Sequence, residues 1–254
     1  MIQFFRNIRQ KLLSDNKFSK YLAYAIGEIV LVVIGILIAL SINNWNENRK
    51  NRNTEAEYYC RILDDFELNE KLIDKNLELT NTRIKRTKEL LKELHTLPND
   101  RGDILNKFTA ALRHDVAVPS NITFDDLTSS GQLKLLTDIK LKNRLIEHSI
   151  FLDNTLHLLQ ENRNEVVKRY TDFEFITVLG YQDIDYMKKE LDEEHMALLP
   201  NVDWTNDPTH PYFIKFKDNL VFILGMQIRQ KHHFSNLRQE LQEPIKLLRD
   251  KPCN

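Results

Sequence analysis

Tyr21 to Ile42, YLAYAIGEIVLVVIGILIALSI, is a run of apolar residues broken by one ionisable side chain, Glu28. At about 1.5 Å per residue a helix over this run reaches roughly 33 Å, enough to cross the hydrocarbon core of a bilayer. The run is about twice as long as the apolar core of a cleaved export signal. Ala39-Leu40-Ser41 offers a passable cleavage site, but Tyr21 and Tyr24 at one end and Trp45 at the other suit the two interfaces of a retained span. The expectation is an uncleaved signal-anchor. Five basic residues precede it (Arg6, Arg9, Lys11, Lys17 and Lys20) and three follow closely (Arg49, Lys50 and Arg52), which favours a cytoplasmic N-terminus.

Upstream of the run, a helix would turn Phe4 or Phe5, Ile8, Leu12 and Leu13 to one side and Arg6, Arg9 and Lys11 largely to the other. Residues 1–20 read either as a basic amphipathic segment on an anionic leaflet or as a plain positive flank. Within the run, Ala23, Gly27, Gly35 and Ala39 recur on one face at four-residue spacing, with Leu31 between them. Small faces of this kind let a second helix approach closely, so self-association in the membrane is expected. Glu28 lies about 10 Å in from Tyr21, too deep for its short side chain to reach bulk water comfortably. It must be neutralised, paired or turned to a wet interior, as an assembly contact, a proton or ion relay, or a carboxylate served by a local water defect.

The stretch FFRNIRQKLLSDNKFSKYLAYAIGEIVLVVIGILIALSINNWNE, residues 4–47, resembles the N-terminal signature of a bacterial family of uncharacterised single-span membrane proteins bearing a domain of unknown function. A weaker echo is TFDDLTSSGQLKLL at 123–136. The resemblance implies an inner-membrane protein with a helical soluble part, and it supplies no activity, cofactor or catalytic residue to carry over.

Beyond the run, six Gly and seven Pro in 254 residues leave little material for the tight turns of an all-β fold. Residues 55–95 follow a heptad pattern instead. Leu63, Leu77, Ile84 and Leu91 take one seam position, with Glu70 intruding, and Tyr59, Phe66, Ile73 and Leu94 the other, with Thr80 and Thr87 between. A helix of about 40 residues with an oligomerising seam is predicted. Turn formers at 97–103 end it, and Asp103 is a candidate cap for a helix starting at Ile104. Thr123 and Asp126 have capping-box spacing for a short helix over 124–130, closed by Gly131. A second long helix is expected from Asp138 to about Thr177, with His148, Thr155 and Asn162 on or beside its apolar stripe. Residues 178–210 are irregular, and Asp207 before Pro208 suggests the start of a last helix over 211–248.

The fold class expected is therefore all-α: a transmembrane helix at 21–42 and an extracytoplasmic domain at 43–254 built as an elongated antiparallel helical bundle or coiled coil.

Little in the chain points to chemistry. None of the eight histidines has Glu three residues before it, so the repeated Glu-x-x-His of di-iron bundles is missing. Asp192 with His195, Asp207 with His210, Asp153 with His157, and His232 beside His233 each supply two ligands where a metal wants four, and read as capping or solvated groups. There is no His-Glu-x-x-His, phosphate-binding glycine loop or Gly-x-Ser-x-Gly. Cys60 and Cys253 can close one disulfide, which position alone does not establish. The basic residues before the span, against Asp15 and Glu28, give residues 1–42 a net +3. With −1 overall, the remainder carries −4, so no nucleic-acid partner is expected.

The reading is a non-catalytic, self-associating scaffold or sensor without a cofactor, its partners the lipid bilayer, further copies of itself and another membrane or periplasmic protein. Two other readings stand behind it. One is a subunit of an ion-coupled transport or force-transmitting complex with Glu28 as proton carrier. The other is a membrane-tethered enzyme of unknown type.

Overall fold

The computed structural model describes residues 18–112, 118–171 and 173–253, and all regular structure among them is helical. The basic segment with Arg6, Arg9 and Lys11 lies outside the described residues, as do the side chains of Tyr21 and Tyr24. The chain divides into two compact units, residues 1–56 and 57–254. Helix α1, Phe18–Glu93, contributes to both.

In the first unit α1 carries the apolar run. Among the described residues it is the one helix long and apolar enough to cross a membrane, and none of its most apolar 18-residue stretch is buried. The large apolar side chains from Leu22 to Ile42 are between 46% and 71% exposed. No contact among the described residues accounts for their apolarity.

The second unit holds the core. After residue 57, α1 is followed by α2 (Arg101–Leu112), α3 (Ile122–Ser129), a 3-10 turn at Gln132–Leu135, and the long α4 (Ile139–Thr171). Three short helices come next, α5 (Ile176–Leu179), α6 (Asp185–Lys188) and α7 (Glu193–Ala197). The last helix is α8, Pro211–Arg249. Helices α4 and α8 pack directly on each other, head to tail. Arg144 near the start of α4 meets Glu240 (2.5 Å) and Glu243 (2.8 Å) near the end of α8, while Asn219 near the start of α8 donates to the Arg169 carbonyl near the end of α4 (3.4 Å).

Two apolar clusters form. One gathers Tyr59, Ile62, Phe66 and Ile73 of α1 with Phe124 and Leu127 of α3, Leu141, Leu145 and Leu152 of α4, and the end of α8 from Phe234 to Leu248. The other gathers Leu90 and Leu94 with Ile104, Leu105 and Phe108 of α2, Val166, Trp204 and the start of α8 from Phe213 to Ile223. The apolar stripe of the helix expected over 211–248, Phe213, Phe216, Leu220, Ile223, Phe234, Leu237, Leu241 and Ile245, is buried at each of these positions.

On α1 the buried positions alternate by threes and fours: Tyr59, Ile62, Phe66, Asn69, Ile73, Asn76, Thr80, Arg83, Thr87, Leu90 and Leu94. The seam through Tyr59, Phe66, Ile73 and Leu94 is as expected. The other seam is not: it runs through Ile62, Asn69, Asn76, Arg83 and Leu90, and Leu63, Leu77, Ile84 and Leu91 sit one residue round the helix, half-buried. Three polar residues on the true seam hid it from an apolar count. Tyr59, Ile62, Phe66 and Ile73 pack against α3, α4 and α8 of the same chain, and Leu90 and Leu94 against α2 and α8, so these seam positions are occupied internally.

Caps also differ from expectation, one of them because a long-range partner supplies it. Asp100, not Asp103, accepts from the Asp103 amide to start α2 (2.8 Å). Thr123 lies inside α3, and its amide donates to Asp65 of α1 (2.9 Å) rather than sitting in a capping box. Helix α8 is capped by the His210 ring, which accepts from the Tyr212 amide (3.1 Å), with Pro211 in the first turn. Helix α4 ends at Thr171, short of the expected Thr177.

The irregular segment is fastened to α2 by Arg101, which donates to Asp183 (2.5 Å), Asn201 (3.2 Å) and the Val202 carbonyl. Its guanidinium lies against Gly180, whose φ of +93° and lack of a Cβ leave the needed room. Cys60 and Cys253 are joined as a disulfide with their Cα atoms 5.5 Å apart, closing the second unit end to end.

Phe216 is fully buried between Phe108 (ring centroids 4.5 Å) and Trp204 (5.0 Å). Replacing Phe216 with Ala should cost about 3–5 kcal/mol. Guanidinium unfolding of the whole chain in micelles, followed by Trp204 fluorescence, checks this, and a loss below about 1 kcal/mol would contradict the packing described.

Candidate functional site

Between the apolar clusters the interior turns polar. Helix α1 presents Asn76, Thr80, Arg83 and Thr87, α4 presents Thr155 and Asn162, and α8 presents Gln227 and Gln230, all buried. The spacing that puts them inside is the same three-and-four alternation that buries Phe66 and Leu94, so the layer is part of the helical register and not a surface feature. Arg83 donates to Thr80 Oγ1 (3.3 Å) and to the Leu79 carbonyl (3.4 Å), and Gln227 donates to the Ala111 carbonyl at the end of α2 (3.2 Å). Other polar atoms in the layer lack a hydrogen-bond partner among the described residues: Thr87 Oγ1, Asn162 Nδ2, Gln227 Oε1 and Gln230 Oε1. An unmet buried donor or acceptor costs about 1–3 kcal/mol, so four in one layer is a costly interior unless something else occupies it.

Gln230 also lines a cavity of about 210 Å³, together with Val118, Pro119, Leu156, Leu159, Arg163 and Phe234. This site was not legible in the sequence. Asn162 and Thr155 were visible as polar interruptions of an apolar stripe, but Gln227 and Gln230 lie among polar neighbours on α8 with nothing to mark them as inward.

A second polar group lies in the first apolar cluster. His148 of α4 is 1% exposed, tilted against the Phe66 ring (centroids 4.7 Å), with Nδ1 4.0 Å from Glu240 Oε1 and no hydrogen-bond partner. Burial, with Arg144 adding repulsion, pushes its pKa down to about 4. The imidazole is therefore neutral at pH 7 and unsuited to hold an anion there.

The residues singled out in the membrane run lie on α1. Ala23, Gly27, Gly35 and Ala39 are exposed, and a Cβ added at Gly27 or Gly35 would meet nothing within 4 Å. Glu28 is half-buried. Trp45 is exposed, with the Arg49 guanidinium 5.3 Å from its ring centroid. Elsewhere, the Asp192 carboxylate caps α7 by accepting from the His195 amide (2.9 Å). His232 Nε2 lies 3.1 Å from Asn236 Nδ2. No group of three metal-ligating side chains occurs among the described residues.

The buried seam of α1, the Asn69–Ser120 hydrogen-bond pair, the α3 helix and the Tyr58–Gln132 contact to the 3-10 turn (3.1 Å) all fall in one sequence interval. Residues 28–133 match a family of unknown function, DUF6090. The match takes in most of the apolar run and residues 123–133 of the 123–136 stretch, covers less than half of the chain, and leaves residues 4–27 of the N-terminal signature outside it. No curated protein and no solved structure matches the chain.

His148 generates a prediction. Its pKa is lower folded than the unfolded value near 6.5, so the unfolded chain takes up the proton first as pH falls, and stability is lost from about pH 6.5 down to about pH 4. The whole chain should lose about 2–3 kcal/mol more between pH 7 and 4.5 than a His148→Leu variant does, measured by guanidinium midpoints. Parallel pH profiles for the two chains would show that His148 is not buried as described.

Proposed function

We propose that this chain is a membrane-anchored, self-associating helical scaffold or sensor without catalytic activity, with a signal-anchor span over residues 21–42 and an antiparallel helical bundle in residues 43–254 outside the inner membrane. The observation that carries the reading is the exposed apolar surface from Leu22 to Ile42, whose large side chains are 46% to 71% open while the body builds cores of its own. On an insertion scale its thirteen large aliphatic residues favour lipid by about 5 kcal/mol together, against about 3 for a charged carboxylate at mid-span, so Glu28 does not outweigh them. The Cys60–Cys253 disulfide supports an oxidising compartment for the body, and the basic excess before the span supports the same sidedness.

Self-association is assigned to the membrane helix. The heptad positions are filled inside the chain, whereas Gly27 and Gly35 leave open space on a face that a second copy can approach. Glu28 serves there as a hydrogen-bonding contact between helices. A scaffold or sensor is favoured over an enzyme because the polar residues that the body brings together lie in a layer buried between helices and not on an open surface.

Native mass measurement of the chain in lipid nanodiscs tests this. An oligomer is expected. Glu28→Gln should keep it, because an amide still hydrogen-bonds, whereas Gly27→Leu with Gly35→Leu should raise the dissociation constant about tenfold or more. A monomer at working concentration, or an oligomer indifferent to both glycine changes, would overturn the assignment.

A further inference from the structure

The bond between Cys60 and Cys253 is open at one sulfur, while the segments it joins are seated by contacts of their own. Cys253, four residues beyond the end of α8, is exposed. Cys60, on α1, is half-buried, and the Pro252 carbonyl oxygen lies 3.9 Å from its sulfur, an electron-rich neighbour that an incoming anion avoids. Thiol–disulfide exchange needs a thiolate to reach a sulfur, so exposed disulfides are the ones open to it.

Around the bond, Arg249 pairs with Glu67 of α1 (2.8 Å). Lys251 pairs with Asp138, just before α4 (2.5 Å), and its ammonium stands 5.6 Å from the centroid of the Tyr59 ring. Ile245 and Leu248 of α8 are buried in the same cluster as Tyr59 and Ile62 of α1. Opening the bond leaves each of these contacts in place.

We propose that Cys60 and Cys253 form a reversible exchange site, at which an external thiolate enters at Cys253 and Cys60 is the resolving sulfur. The thiolate bonds to the Cys253 sulfur, the Cys60–Cys253 bond breaks, and its electron pair leaves on Cys60, which takes up a proton. A second thiolate then bonds to the sulfur of the first and displaces Cys253, which takes up a proton in turn. Two external thiols end as one disulfide, and the chain gains two electrons and two protons as two thiols. In the opposite direction Cys60 attacks a mixed disulfide at Cys253 and restores the bond. The ion pairs of Arg249 and Lys251 and the burial of Leu248 hold Cys253 beside Cys60 in the reduced chain, a high effective concentration that favours closure within the chain over pairing with another. The two states differ in how firmly the end of α8 is tied to α1, with both cores intact, and a local change of that kind gives the sensor reading above an input. The inference rests on that reading only for its purpose, since sulfur chemistry is scored by mass whether or not the chain is retained in lipid.

The full chain in lipid nanodiscs, prepared without reductant, would be incubated with reduced glutathione, quenched with N-ethylmaleimide and mapped by peptide mass. Millimolar glutathione should open the bond without denaturant and with helix content unchanged by circular dichroism. Intermediates with glutathione on Cys253 and maleimide on Cys60 should outnumber the reverse by about tenfold or more. Transfer to glutathione disulfide should restore the bond within the chain. Reduced thioredoxin at equal thiol concentration, run in parallel, separates two sources of the thiolate: faster opening than with glutathione assigns a protein dithiol, and slower opening a small thiol. A bond that opens only once guanidinium unfolds the chain, glutathione shared equally between the two sulfurs, or disulfide-linked dimers on reoxidation would overturn the proposal.

Discussion

Removal of apolar surface from water builds the body of this protein and stops short of its N-terminal helix. Residues 57–254 bury their aliphatic and aromatic side chains against one another, at about 25 cal/mol for each Å² covered. Residues 22–42 bury almost nothing, yet they are the most apolar part of the chain. A soluble protein seldom exposes a contiguous apolar surface of that size. On the reading proposed above, lipid satisfies both this surface and the helical backbone beneath it, because every peptide group inside a helix is already paired.

Within the body the same accounting explains the fold and singles out the odd region. Apolar seams at the two ends of the α1 register give dense clusters around Phe66 and Phe216. The middle, from Asn76 to Thr87, gives up that gain for groups that must find partners across helices. Some do so fully: Asn69 exchanges two hydrogen bonds with Ser120, at 2.8 and 3.0 Å. Others do not, and it is next to one of these, Gln230, that the interior opens into a cavity. A layer of weaker packing between two stronger ones is also where a ligand can alter the pairing of α4 and α8 at least cost to the rest.

Much of the helical plan was readable because periodicity is a direct image of burial. The α8 stripe from Phe213 to Ile245 and the inward set His148, Thr155 and Asn162 follow from spacing alone. Reading failed where the chain places polar residues inside. Asn69, Asn76 and Arg83 occupy a heptad seam that Leu63, Leu77 and Leu91 imitate one position away, and only burial separates the two. Helix starts were misassigned for a related reason. Asp65 caps α3 from 58 residues upstream, and no local signature announces a cap supplied from another helix. The Cys60–Cys253 bond and the Gln230 cavity are likewise products of tertiary packing, invisible to any window of sequence.

The account stands on an apolar helix retained in lipid, and the most direct measurement is the fate of the intact chain when membranes are washed with alkaline carbonate. The full-length polypeptide, with its N-terminal residues present by mass, should remain in the pellet and be released only by detergent. A chain recovered in the wash, or one whose mass begins after residue 41, would remove the anchor and with it the place assigned to Glu28, Gly27 and Gly35.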